Sequence, residues 1–228
     1  MTQNITKILV NPNSKNFIIT IAIGKTYYDS WKKYASPTWI DYCKKYGLGL
    51  MVICKYLIDK DHPKWKKATW HKMLIGNYIQ ENKLKIENVC YLDTDILLNP
   101  NSPNIFKAYN KKKISVVSAI HGMSYSLDYV RRKIAFNRHN YLDKRYPLDS
   151  ALFMTKKSFY KYHKFSEQKD IINMGVFIFN VKVHSKLMLS WFNKYDKHLK
   201  NLTGGGDNPQ ISYEMLNYGK LNWLDYKY

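Results

Sequence analysis

The stretch NVCYLDTDILLNP, residues 88–100, decides how this chain is read. A mostly apolar run leads into two aspartates, Asp93 and Asp95, and apolar residues resume at Ile96–Leu98. Ionised carboxylates at the end of a buried segment are costly unless they are paired or bind a cation. On a strand, residues i and i+2 face the same side, so Asp93 and Asp95 are expected to converge while Thr94 points away. In open α/β sheets the carboxyl ends of strands are where ligands bind. Two convergent carboxylates suit Mg2+ or Mn2+, and such an ion would clamp a diphosphate and stabilise it as a leaving group.

Spacing alone does not make the case, because the chain holds a second Asp-x-Asp, Asp59-Lys60-Asp61. That one sits in a lysine-rich loop beside His62-Pro63, where turn chemistry and solvated charge account for it. Only the 93–95 pair closes an apolar strand and precedes a second apolar run.

Outward from this pair, strands and helices alternate. FIITIAIG (17–24) reads as a buried strand ending in a turn, and Ser36-Pro37 reads as the cap and first turn of a helix reaching Tyr46 and closed by Gly47. LGLMVICKYLI (48–58) is a second strand, ATWHKMLIGNYIQEN (68–82) a helix, and NVCYLDTD the third strand. A Ser-Pro helix start repeats at 102–103, ISVVSAI (114–120) is a fourth strand and INMGVFIFNV (172–181) a fifth. KLMLSWFNKYDKHL reads as an amphipathic helix, GGGDNPQ as a loop and ISYEMLNYG as a last helix. Residues 121–170 carry no clean period and read as a basic, aromatic excursion over an active face. The alternation predicts an α/β layered sheet, mostly parallel and flanked by helices, in a single domain spanning 1–228.

Composition narrows the function classes. A 45% hydrophobic content is that of a globular chain. The longest apolar run is the eight residues 17–24, well short of the 18 or more of a membrane helix. MTQNITKILVNPNSK shows no signal-peptide core, so a soluble, cytoplasmic protein is expected. Cys43, Cys54 and Cys90 stand singly in apolar patterns, which reads as small buried hydrophobes in a reducing compartment. The formal charge of +20 calls for an anionic partner: nucleic acid, nucleotide, acidic glycan or lipid headgroup.

In order and spacing, IAIGKTYYDSW, YCKKYGLGLMVI, WHKMLIGNYI, YLDTDILLNPNSPNIF, NMGVFIFN and GGGDNPQISYEML resemble the GT-A fold, DxD-containing nucleotide-sugar glycosyltransferases, over residues 17 to 220. The small form is similar to glycosyltransferases of large DNA viruses and bacteria; a viral chain would work in the host cytoplasm. The resemblance implies a GT-A fold and a metal-dependent transfer from a nucleoside-diphosphate sugar, UDP-linked, to a glycan hydroxyl. It implies Mn2+ or Mg2+ on Asp93 and Asp95, with Asp93 and Thr94 also at the donor. Ile23, Gly24 and Tyr27 would receive the base and ribose, and Lys72 the phosphates or sugar. Asn173 and Gly175 would line the sugar pocket, with Asn208 and Gln210 beside the donor. Asp207 would be the catalytic carboxylate; by residue chemistry alone it also reads as the N-cap of the helix led by Pro209.

The C-terminal His-x-x-Gly-x-x-Lys-Pro motif of the glycogenin-like branch is missing, with His184 and His198 as substitutes for its metal ligand. Stereochemistry therefore stays open, and Asp149 is a second candidate base. The basic excursion at 121–150 is the expected acceptor surface, for an acidic glycan or peripheral contact with an anionic membrane.

Rivals fare less well. A nucleotidyltransferase wants a Gly-rich, Arg-containing loop after the first strand, and GKTYYDSW is not one. A nuclease or basic nucleic-acid-binding protein would draw on the charge and the 20 tyrosines. Yet the lysines are scattered and no nucleic-acid motif appears, so no specific nucleic acid is expected. An inactive carbohydrate-binding relative is disfavoured by the intact pair.

Overall fold

A computed structural model describes residues 5–122, 126–141, 154–201, 203–225 and 227–228. Seven strands form one sheet: β1 (Thr6–Val10), β2 (Asn16–Ile21), β3 (Gly49–Ile53), β4 (Asn88–Leu92), β5 (Ile114–Ser118), β6 (Ile172–Asn180) and β7 (Leu221–Trp223). Their order is β1-β3-β2-β4-β6-β5-β7. β2 pairs in parallel with β3 and β4, and β5 with β7. β1 runs antiparallel to β3, and β6 runs antiparallel to both of its neighbours. The α/β layering expected from the sequence is what the chain adopts, in a mixed sheet.

Alternation along the central strands sends side chains to two cores. Phe17, Ile19 and Ile21 of β2 join Met51, Ile53, Val89 and Tyr91 on one face, under α3 (Ile75–Glu81), α6 (Val181–Lys194) and α7 (Asn208–Tyr218). Ile18, Leu50, Val52, Cys90 and Leu92 point the other way, against Trp31 of α1 (Lys25–Tyr34) and Trp39, Tyr42 and Cys43 of α2 (Ser36–Tyr46). Cys43 and Cys90 are buried there, and Cys54 is half-buried. The excursion contains α4 (Leu127–Tyr141) and α5 (Lys156–Tyr162).

Several local expectations change. KTYYDSWKKY, which carries no cap signal, forms α1, and only Ala35 separates it from α2. Ser36 is therefore already inside the helix, and no side chain caps it. At the second Ser-Pro, Asn104 is the cap instead, its side chain accepting from Phe106 N at 3.0 Å ahead of a short 3₁₀ turn, Ile105–Ala108. Residues 68–74 are also 3₁₀ helix, passing into α3. Strands β1 and β7 went unanticipated; each is short and at a sheet edge, where half-exposed side chains leave a poor apolar pattern. Among the described residues no helix is long and apolar enough to cross a membrane.

The segment between β3 and the 3₁₀ helix is held by a buried histidine. His71 Nδ1 accepts from Leu57 N at 3.0 Å, which places the ring proton on Nε2, 3.1 Å from Lys66 O. The Lys66 ammonium is buried too, donating to Phe192 O at 2.8 Å and sitting 3.9 Å from the centre of the Phe192 ring. Burial lowers the pKa of His71 to about 4. A second proton would face the Leu57 N–H. Because the folded value lies below the usual 6.5, the unfolded chain binds the proton first as pH falls. His71 thus contributes stability present above pH 6.5 and lost as pH drops through about 4, on the order of 3 kcal/mol. We expect its ring, followed by NMR, to stay neutral until near pH 4, with unfolding free energy declining over the same range. A ring titrating at its ordinary value would contradict this packing.

Candidate functional site

The approach to the Asp93–Asp95 segment is fixed by both strands that flank β4. Thr20 Oγ1 donates to Leu92 O at 2.7 Å, and Asp93 N donates to Gly175 O at 2.9 Å. Beyond it, α2 grips the outgoing chain: Trp39 Nε1 donates to Ile96 O at 2.8 Å, and Tyr42 Oη to Pro103 O at 2.6 Å. β4 ends at Leu92, so a turn and not the strand carries Asp95 to the cleft that Asp93 also lines. The strand period instead relates Tyr91 to Asp93, and Tyr91 Oη donates to Asp93 Oδ1 at 2.7 Å.

Behind the turn lies Lys72, 2% exposed. A solvated helix lysine is the ordinary reading of its position; the 3₁₀ turn directs it inward. Its ammonium is 3.4 Å from Asp93 Oδ1 and 3.4 Å from Asp207 Oδ2, donates to Met174 O at 3.0 Å and lies 4.7 Å from the Tyr91 ring centre. Burial works to lower the Lys72 pKa, but Asp207 and Asp93 outweigh it and the net shift is upward. Burial raises the pKa of Asp207, which Lys72 only partly offsets. One ammonium serves two carboxylates, and the deeper one bears the desolvation. Asp207 stands at the N-cap position of α7 but makes no capping hydrogen bond. Its charge points to Lys72 instead.

Gly175 completes this arrangement. A Cβ there would sit 3.0 Å from Asp93 Oδ2 and 3.1 Å from Asn173 Oδ1, so only glycine lets β6 pass this close to the carboxylate. Asn173 Oδ1 accepts from Gly175 N at 2.8 Å.

A cleft of about 410 Å³ opens in front. Its lining takes Asp93, Thr94 and Asp95 with Tyr91 from β4 and the turn after it, Ile21, Ile23 and Tyr27 from the end of β2 onward, and Tyr56, Lys67, Ala68 and Thr69 from the segment before α3. Of the expected residues, Ile23, Tyr27, Asp93, Thr94 and Asp95 share this cleft, and Lys72, Gly175 and Asp207 stand behind it in one contact chain. Gly24, at φ +94° ahead of α1, lines the adjacent hollow with Lys7 and Lys25. Gln210 accepts from Asn201 Nδ2 at 2.7 Å, and Asn208 Oδ1 is a buried oxygen without a hydrogen-bond partner among the described residues. His184 Nδ1 accepts from Asn180 N at 3.0 Å inside the core, and His198 is exposed. Asp149 and the residues around it lie outside the described residues.

The donor set fits a divalent cation. Asp95 is exposed and has no hydrogen bond or ion pair among the described residues, and Asp93 keeps Oδ2 free of hydrogen bonds. No group of three or more His, Cys, Asp or Glu gathers to hold a metal among the described residues. Two protein oxygens completed by phosphate and water are what Mg2+ sites commonly use. Three carboxylates against the ammoniums of Lys72 and Lys67 also leave the locale negative, so added positive charge would strengthen the binding of a diphosphate.

Tyr56, Lys67 and Asn201 were not singled out from the sequence. Lys67 is one of many lysines and Tyr56 one of twenty tyrosines, so composition masks them.

No protein-family model matches the chain, and no curated protein matches it. Among solved structures, the crystal structure of a glycosyltransferase involved in the glycosylation of the major capsid of PBCV-1 aligns with a TM-score of 0.53 at 11% identity. The alignment covers 92% of this chain and 82% of that one. At that identity the likeness shows the fold: this chain has the α/β fold of a glycosyltransferase.

The shared ammonium sets a stability expectation. Lys72→Met should cost roughly 3–5 kcal/mol, the scale of a broken buried ion pair. Asp207→Asn should cost about 1–3 kcal/mol, since Asp93 and Met174 O still hold Lys72. In denaturant unfolding the double variant should be more stable than Lys72→Met alone, because it no longer buries an unpaired Asp207. Strict additivity would show that the two groups do not interact.

Proposed function

We propose that the protein is a metal-dependent glycosyltransferase that moves a sugar from a nucleoside-diphosphate donor, UDP-linked, to a hydroxyl of a glycan acceptor. The observation that carries this reading is one cleft lined by Asp93 and Asp95 just after β4, by Ile23 just after β2 and by Tyr27 of α1, in a fold shared with a glycosyltransferase. Asp93 and Asp95 would hold Mn2+ or Mg2+, which when bound offsets the diphosphate's charge and stabilises it as a leaving group.

The remaining roles belong to the chain. Ile23 and Tyr27 offer an apolar edge and an aromatic face to the base, with Gly24 keeping the turn between them open. Thr94 would face the donor beside the metal ligands, and Asn173 and Gly175 would serve the sugar side by supporting Asp93 from behind, where glycine lets β6 close on its carboxylate. Lys72 holds positive charge beneath Asp93 without reaching solvent. Asp207 acts on the transfer step by fixing that ammonium, while Asn208 and Gln210 shape the start of α7. For the acceptor side, α4 presents exposed Arg132 and Lys133 near Phe136, which is 56% exposed. Such a surface suits an acidic glycan or an anionic membrane face.

Titration of UDP, with and without Mn2+, tests the reading. Mn2+ should strengthen UDP binding to the parent. Asp95→Asn should keep the melting temperature yet remove the Mn2+ dependence, whereas Asp59→Asn should change neither. Mn2+-enhanced binding that survives Asp95→Asn would overturn the metal assignment. In a transfer assay at a temperature where the variant stays folded, Asp207→Asn should lower the rate, because Lys72 loses one of its two carboxylate partners.

A further inference from the structure

Lys67 is the only cationic residue among the described lining of the cleft. Lys72 is buried and already committed to two carboxylates. Lys67 is exposed, and among the described residues its ammonium donates to a neutral acceptor, the carbonyl of Gly204. It has no carboxylate partner among the described residues, although Asp93 and Asp95 line the same cleft.

The Gly204 carbonyl belongs to a glycine-rich loop that Asn201 organises. Gly204 and Gly205 both have left-handed backbones, at φ +61° and +86°. Asn201 ties the loop from inside, its Oδ1 accepting from Gly205 N at 2.8 Å and its Nδ2 donating to Gly206 O at 2.8 Å. From the core Trp70 Nε1 donates to Gly205 O at 3.0 Å, next to the Lys67 contact. This loop leads directly to Asp207. An ammonium has three N–H donors and the carbonyl uses one.

We propose that Lys67 is a phosphate-binding residue of this cleft, holding the Gly204 carbonyl with one N–H and the ligand's phosphate with another. The loop before Asp207 is thereby tied to an occupied cleft. This rests on the donor reading above and adds to it a second source of positive charge, independent of the metal.

The test compares UDP with uridine, in EDTA and in Mn2+, on the parent, Lys67→Gln and Lys67→Arg. Glutamine can still donate to Gly204 O but carries no charge. Lys67→Gln should weaken UDP binding about tenfold or more in both conditions, as expected for a charge-assisted bond. Uridine affinity and melting temperature should stay unchanged, and Lys67→Arg should restore most of the UDP affinity. If the parent binds UDP and Lys67→Gln binds it within twofold, or loses uridine equally, the Lys67 assignment is wrong while the donor reading stands. If the parent binds no nucleoside diphosphate in either condition, both fall.

Discussion

The site depends on one buried ammonium. Lys72 joins the turn after β4 through Asp93, β6 through Met174 O, and the start of α7 through Asp207. Placing a charge with 2% exposure in the interior is costly, and two carboxylates, a carbonyl and the Tyr91 ring offset that cost. Chain segments far apart in sequence are thus bound to one point. The arrangement also explains why Asp207 is not spent on capping its own helix.

The carboxylates in front of this point are differently placed. Asp93 is divided between Tyr91 and Lys72 through Oδ1, while Asp95 is left exposed. Charge therefore grades from neutralised in the interior to uncompensated at the cleft surface. α2 holds this gradient in register, since Trp39 and Tyr42 fix the backbone that leaves the turn. An uncompensated carboxylate on so tightly held a backbone is the feature on which the proposed cation site would draw.

Much of the fold was legible because the central strands obey simple periodicity. FIITI, GLMVI, NVCYL and INMGVFIFN read as strands from apolar runs, and all four occur. The edge strands TKILV and LNW lacked that signal. α1 was hidden because KTYYDSWKKY buries only Trp31, too sparse a stripe to stand out. The Asp93–Asp95 pair was legible from its context, although a turn, and not the strand's alternation, brings it to the cleft. The inward course of Lys72 was hidden by the 3₁₀ turn, which breaks the α-helical spacing used to place it. Lys67 and Tyr56 were hidden by number, for in a chain with 37 basic residues and 20 tyrosines no single one is marked by type.

The central claim is that the cleft in front of Lys72 takes a nucleoside diphosphate together with a divalent cation at Asp93 and Asp95. Crystals grown with UDP and Mn2+, measured for manganese anomalous scattering, test it most directly. The account predicts an anomalous peak within coordination distance of Asp95 and of the diphosphate oxygens. A diphosphate bound in the cleft without such a peak, or manganese bound elsewhere, would contradict it.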